Sequence, residues 1–311
     1  MKSIPEKQGK HEPVMVSEVL LALNIEKLAR LKDGFSFVDA TLGQGGHSVE
    51  VIKKGGSLLG IDLDEEALTS AKKKLISACP ASYNYKKRIK LVSGNFVNID
   101  KIAKESDVQN VDAILVDLGV SSPQITSDTR GFSFRNESAI LDMRLSSKTQ
   151  GVTAYDLLNS LDEHQLRDLF NVVLSTGVSY RISKEIVKWR KEKLFRTVGD
   201  FVEVIKKTIF PKNKTDVSTL PFLALRIAVN SELENIKEAL PKMVQLLKTG
   251  GRLAIISFHS KEDEIVKHLF LDFENQKMVK ILTKKPISPS LMEIENNPRA
   301  RSSKLRVIEK I

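Results

Sequence analysis

A chain of 311 residues, 41% apolar and 28% charged, can bury one large or two moderate cores and is too apolar to be disordered. One cysteine, Cys79, excludes an internal disulfide or a cysteine-rich zinc site; with no apolar run near the ~18 residues of a membrane span and no apolar leader in MKSIPEKQGKHEP, a cytoplasmic protein is expected, with no membrane partner. The net charge of +10 is uneven, with eleven basic against four acidic residues over 181–214 and nine against three over 277–311, which points to a polyanion such as nucleic acid.

In chain order, residues 11–24 read as an extended segment leading into an amphipathic helix that carries Val16, Val19, Leu20 and Leu23. Phe35, Phe37 and Val38 then form a short buried strand. Asp39, Thr41 and the glycines at 43, 45 and 46 make a tight turn, and Val49, Val51 and Ile52 open a helix. Glycines let backbone approach a ligand closely, and the first N–H groups of the helix point at what is bound, so the turn is a candidate site for a nucleoside-like ligand. Gly-x-Gly-Gly is not the dinucleotide fingerprint, which disfavours NAD. Asp62 closes the next strand, 58–61, where a carboxylate meets a ribose diol in a doubly wound sheet, whereas Asp64 suits the cap of a helix over 65–75.

Strands at 89–92 and 111–116, with a helix at 99–104 between them, continue a parallel α/β rhythm with right-handed crossovers. His47, Asp62, Phe96 and Asp117 all fall at or just after strand ends, where such sheets bind ligands. The rhythm then stops. Helices are predicted at 154–158, 163–174, 181–193 and 198–210, followed by a long one over 222–247 interrupted at Pro241. A strand at 252–258, a helix opened by a Ser260/Asp263 capping box, and closing strands at 278–283 and 305–309 restore the sheet. The expected division is a sheet domain over 1–126 and 222–311, split by a helical substrate-recognition insert over 127–221.

The stretches HEPVMVSEVL, DATLGQGGHS, GIDLDEEAL, DLGVSSPQ, RGFSF, LDMR, ALRIAVNSEL, SFHSKED and NPRARSSKLR run in order along nearly the whole chain. Together they closely resemble the ribosomal RNA small subunit methyltransferase H family. The resemblance implies a Rossmann-like class I S-adenosylmethionine-dependent methyltransferase sheet with an inserted all-helical domain. It also implies methylation of the exocyclic N4 of a cytidine in the decoding region of 16S rRNA. Gly45, Gly46 and His47 would line the methionine end of S-adenosylmethionine, Asp62 would hold the ribose, and Phe96, Asp117 and Gln124 would complete the pocket. Departures cluster in the insert: residues 216–223 read DVSTLPFL and 177–180 read GVSY, where the family has other stretches. Ala139-Ile140 and Lys261 also differ from its pattern.

An exocyclic amine is a poor nucleophile, so it must be aligned with the methyl group and must find acceptors for its N–H groups. Asp117, Ser121 and Ser122 are the acceptor candidates. Phe132 and Phe134 are candidates to stack on an unstacked base, with interior packing the competing role, and Arg144 is a further substrate contact. The five histidines lack metal-site spacing, so no catalytic metal is expected. Two other classes stay open: a methyltransferase acting on another substrate, and a non-catalytic RNA-binding assembly factor. The oligomeric state is open as well, a homodimer included.

Overall fold

The structure, a computed structural model, describes residues 13–80, 84–120, 124–125, 129–210 and 216–311. It forms two compact units, one of residues 1–119 and 235–311 and one of residues 120–234.

The first unit is built on a seven-stranded sheet: β1 (Ser36–Asp39), β2 (Ser57–Asp62), β3 (Ile89–Ser93), β4 (Val111–Asp117), β5 (Leu247–Ser257), β6 (Val279–Ile281) and β7 (Lys304–Lys310). Their order is β3-β2-β1-β4-β5-β7-β6, the strand order of S-adenosylmethionine-dependent methyltransferases. The pairs among β1 to β5 are parallel, while β7 runs antiparallel to both β5 and β6. Residues 111–116 of β4 are all buried because helices cover both faces, which is why that strand reads as an unbroken apolar run. Val38, Ile114 and Ile255 face one core, and Phe37, Ala113 and Ala254 face the other.

Several boundaries differ from expectation: the helix expected over 181–193 begins at Thr176, the strand expected over 252–258 begins at Leu247, and two further differences have a local cause. The helix expected over 222–247 is two helices, Thr219–Asn230 and Glu232–Leu246, and the break is at Ser231, whose φ is 49°, with Pro241 inside the second helix. The carbonyl that Pro241 leaves without an amide belongs to Lys237, on an exposed turn that water can reach. The capping box of helix Ser260–Asn275 is also one residue early. His259 caps it with Glu262, while Asp263 accepts from Arg306 Nε at 2.6 Å.

The second unit is helical: Ala154–Ser160, Glu163–Asn171, Thr176–Glu192, Val198–Thr208 and Thr219–Asn230 surround Phe170, Ile186, Phe195, Phe201 and Leu225. It is wider than the 127–221 insert read from the sequence, because Phe222, Ala224, Leu225 and Val229 belong to its core. Capping boxes at Thr153/Asp156, Asp162/Gln165 and Thr197/Asp200 start three of the helices. Asn230 joins the last helix to the LDMR turn: its Oδ1 accepts the Leu145 N–H at 3.0 Å, and its Nδ2 donates to the Met143 carbonyl at 2.9 Å. Gly131 has φ +71°, and a Cβ there would lie 2.2 Å from the Ile140 carbonyl oxygen. Gly131→Ala is therefore expected to lower stability by about 2 kcal/mol, read as a reduced thermal midpoint of the full chain.

Candidate active site at the carboxyl ends of the strands

Three neighbouring strand ends are tied together by short side chains. The β1 residue Asp39 is buried, and its Oδ2 accepts the Ser48 hydroxyl at 2.6 Å. Thr41 Oγ1 accepts the Asp117 N–H at 2.6 Å, which fixes the end of β4 beside the turn. At the end of β2, Asp62 accepts the Gly43 N–H on Oδ2 at 2.7 Å and the Asp64 N–H on Oδ1 at 2.8 Å. Each of those oxygens keeps a second lone pair for a hydroxyl donor. Gly43 has φ +51° and nothing within 4 Å of where a Cβ would be, so this part of the turn is open to a close approach.

Gly45 and Gly46 have packing reasons to be glycine. Gly45 caps helix Gly46–Lys53 with φ +74°, and a Cβ on it would press on Ala71. A Cβ on Gly46 would meet the Pro13 ring at 2.8 Å. His47 is buried, with Nε2 2.7 Å from the Val14 carbonyl oxygen, so Nε2 carries the proton. Its Nδ1 lies 3.9 Å from Asp117 Oδ2, beyond hydrogen-bond reach. Phe96 opens a 3-10 turn after β3 and is half-buried against the core of the sheet unit.

The charges gathered here are carboxylates, and burial governs them. Burial raises the Asp39 carboxyl to about 6, against the opposing hydrogen bonds from Ser48 and Thr41. Asp62 is raised for the same reason. Asp117 is pushed well above the ordinary range, first by burial and then by the charges of Asp39 and Glu262. Its Oδ1 is buried without a hydrogen-bond partner among the described residues, although a quarter of the side chain reaches solvent. A buried acceptor among like charges is completed by a cationic or N–H-bearing ligand. S-adenosylmethionine offers both an ammonium and a sulfonium, and its ribose hydroxyls match the spare lone pairs of Asp62, so these residues fit that group.

Glu262 was missed in the sequence. It is 1% exposed, and Oε2 accepts the N–H groups of Phe258 at 2.8 Å and His259 at 3.2 Å. The signal for it in the sequence is a glutamate three residues after a possible cap at His259, a pattern that overlaps the Ser260/Asp263 one.

Ser121 and Ser122 are outside the described residues, as is His11. Gln124 is buried and belongs to the helical unit. Phe132 and Phe134 are half-buried against that unit's own core, with Phe134 edge-on to Phe222 at 5.7 Å. Arg144 gives Nε and Nη2 to Asp142 at 2.7 and 2.8 Å and Nη1 to the Gln150 carbonyl at 2.9 Å, so its guanidinium braces the LDMR turn. The departures at 216–223 include Phe222, which the helical core absorbs, and Lys261 is an exposed partner of Glu264.

Ribosomal RNA small subunit methyltransferase H of Dictyoglomus thermophilum is 42% identical to this chain, covering 98% of each chain. The protein of that name from Brevibacillus brevis is 39% identical, covering 97% of this chain and 98% of its own. Among solved structures, an rRNA methylase from Streptococcus thermophilus matches distantly, with a TM-score of 0.43 and 13% identity over 94% of this chain and 96% of its own. Residues 8–311 match one family along their whole length, and the chain belongs to the MraW methylase family.

Proposed function

We propose that the protein methylates the exocyclic N4 of a cytidine in the decoding region of 16S rRNA, within the small ribosomal subunit, with S-adenosylmethionine as methyl donor. The observation that carries this reading is the family match over residues 8–311, with relatives that are small subunit rRNA methyltransferases along their full length. When bound, S-adenosylmethionine supplies an activated methyl group at the strand ends. Asp62 holds the ribose, Phe96 offers an apolar face to the adenine, and Gly45, Gly46, His47 and Gln124 complete the cofactor's surroundings.

Asp117 is the acceptor that orients the target amine. Its unpartnered oxygen is suited to an N–H donor, and a cation beside it draws the carboxyl back toward its charged form. Ser121 and Ser122 follow it in the chain and assist. Phe132, Phe134 and Arg144 contribute to substrate binding from the helical unit, and the cytoplasm is where the small subunit is met. Among the described residues no helix is long and apolar enough to cross a membrane. Exposed Leu291 and Met292 are the apolar pair that a homodimer contact would cover, and light scattering at twice the chain mass would support it.

The test is mass spectrometry of nucleosides from 16S rRNA, using small subunits that lack the modification, incubated with the protein and S-adenosylmethionine. N4-methylcytidine at one decoding-region position is the expected product. Cofactor binding with no methyl transferred would move a non-catalytic assembly role ahead.

A further inference from the structure

The basic residues of the helical unit divide into two groups. Some are committed to their neighbours: Lys193 pairs with Asp200 at 2.6 Å, Lys206 with Glu137 at 3.3 Å and Lys207 with Glu203 at 2.9 Å. Arg190 donates to the carbonyls of Leu158 and Leu161. Arg181, Lys184, Lys188 and Lys191 are different. All four are exposed, and none has a carboxylate within ion-pair distance among the described residues; the one bond they spend is a long one, 3.5 Å, from Arg181 Nε to the Thr208 carbonyl.

Their spacing of three, four and three residues puts them on one face of helix Thr176–Glu192, opposite the buried Ile182, Ser183 and Ile186. At the rise of an α-helix the row is about 15 Å long. It lines a groove of about 640 Å³ closed by the end of helix Val198–Thr208 and Phe210, with Glu163 and Glu185 as its carboxylates. Two aromatics line the same groove: Tyr180 is 46% exposed and Phe210 75% exposed. The Lys184 ammonium lies 5.9 Å from the Tyr180 ring centroid.

An uncommitted row of cations beside exposed aromatic rings is the arrangement that follows a single-stranded phosphate backbone and stacks its bases. We propose that this groove is a binding surface for single-stranded RNA, with Arg181, Lys184, Lys188 and Lys191 along the phosphates and Tyr180 and Phe210 under the bases. This rests on the reading of the protein as an rRNA methyltransferase and extends it to a stretch of substrate held by the helical unit alone. Tyr180 lies in the GVSY stretch that departs from the family pattern, so the departure falls on the RNA-facing surface.

The test compares wild type, the double variant Lys184→Glu/Lys188→Glu and Tyr180→Ala. Each is titrated against a short labelled single-stranded RNA and a hairpin duplex over a range of salt, with methyl transfer into small subunits measured in parallel. The double variant is expected to lose at least about tenfold in single-strand affinity at low salt, with the log–log salt slope shallower by about 1.4. Tyr180→Ala is expected to lose about tenfold with its slope unchanged, since stacking releases no counterions. All three side chains are exposed, so the thermal midpoints should match wild type. Unchanged single-strand affinity in both variants would overturn the groove assignment, as would a duplex bound as tightly as the single strand. Weaker binding of the variants to intact subunits, with binding to naked RNA unchanged, would assign the groove to a ribosomal protein and overturn it too. Wild type that transfers no methyl group, while the variants still lose RNA affinity, would defeat the methyltransferase reading and leave the groove standing.

Discussion

Asp117→Ala is expected to reduce methyl transfer about a thousandfold or more, roughly 4 kcal/mol of transition-state stabilisation, in a protein that remains folded. The fold should survive because the end of β4 is held by backbone groups. The Asp117 N–H donates to Thr41 Oγ1 and the Leu118 N–H to the Ile256 carbonyl, and neither bond involves the carboxylate. Removing a carboxyl that burial holds in an unfavourable state should even raise the thermal midpoint of the free protein. Asp117→Asn separates two roles. It keeps an acceptor oxygen without the charge, so if orientation of the amine dominates, Asn recovers part of the loss, and if attraction of a cation dominates, Asn fails as Ala does. Calorimetry with S-adenosylmethionine reports the second role independently of turnover. Methylation by the Ala variant at close to the wild-type rate would remove Asp117 from the mechanism.

Much of the site was legible because its residues are placed by backbone periodicity. A strand ends where its apolar run ends, so Asp62 and Asp117 could be set at strand ends from spacing alone, and in the structure β2 ends at Asp62 and β4 at Asp117, with β1 between them. The strand directions were less legible. A short apolar run reads the same in either orientation, and only the pairing of Arg252 with Glu309 and of Ser257 with Lys304 shows that β7 runs antiparallel. Side-chain commitments were hidden for another reason. The string LDMR shows a guanidinium but not its bonds, two of which go to Asp142, two residues away. Likewise, nothing in the string GQGGHS says that Gly46 is shaped by Pro13, a residue 33 positions earlier in a different element. The break at Ser231 also escaped because a serine gives no signal for the positive φ found there, whereas Pro241 carries a strong breaker signal that costs little because the carbonyl it orphans, on Lys237, is exposed.

Asp39 gives the second large effect, one that depends on pH. Its folded-state carboxyl is raised to about 6 from an ordinary 3.8. Between those values the folded protein holds a proton that the unfolded chain has lost, so stability falls as pH rises through this window. The contribution is fully present below about pH 4 and gone above about pH 7, and a shift of this size corresponds to about 3 kcal/mol. Asp39→Asn removes the titration while keeping an oxygen for the Thr41 N–H and an amide that the Ser48 hydroxyl can accept from. The variant should therefore match wild type near pH 4 and become more stable with rising pH, by up to about 3 kcal/mol at pH 7.5, read from denaturant midpoints across that range. A stability difference that does not change with pH would show that Asp39 does not titrate in this window. The same substitution reaches Asp117, whose carboxyl is raised in part by the charge of Asp39. Without that charge Asp117 ionises at lower pH, and the rising limb of the methyl-transfer rate should move to lower pH with it. The stabilised variant would then pair a firmer fold with a shifted pH profile, as expected if the buried carboxylates are kept for the cationic ligand at a cost in stability.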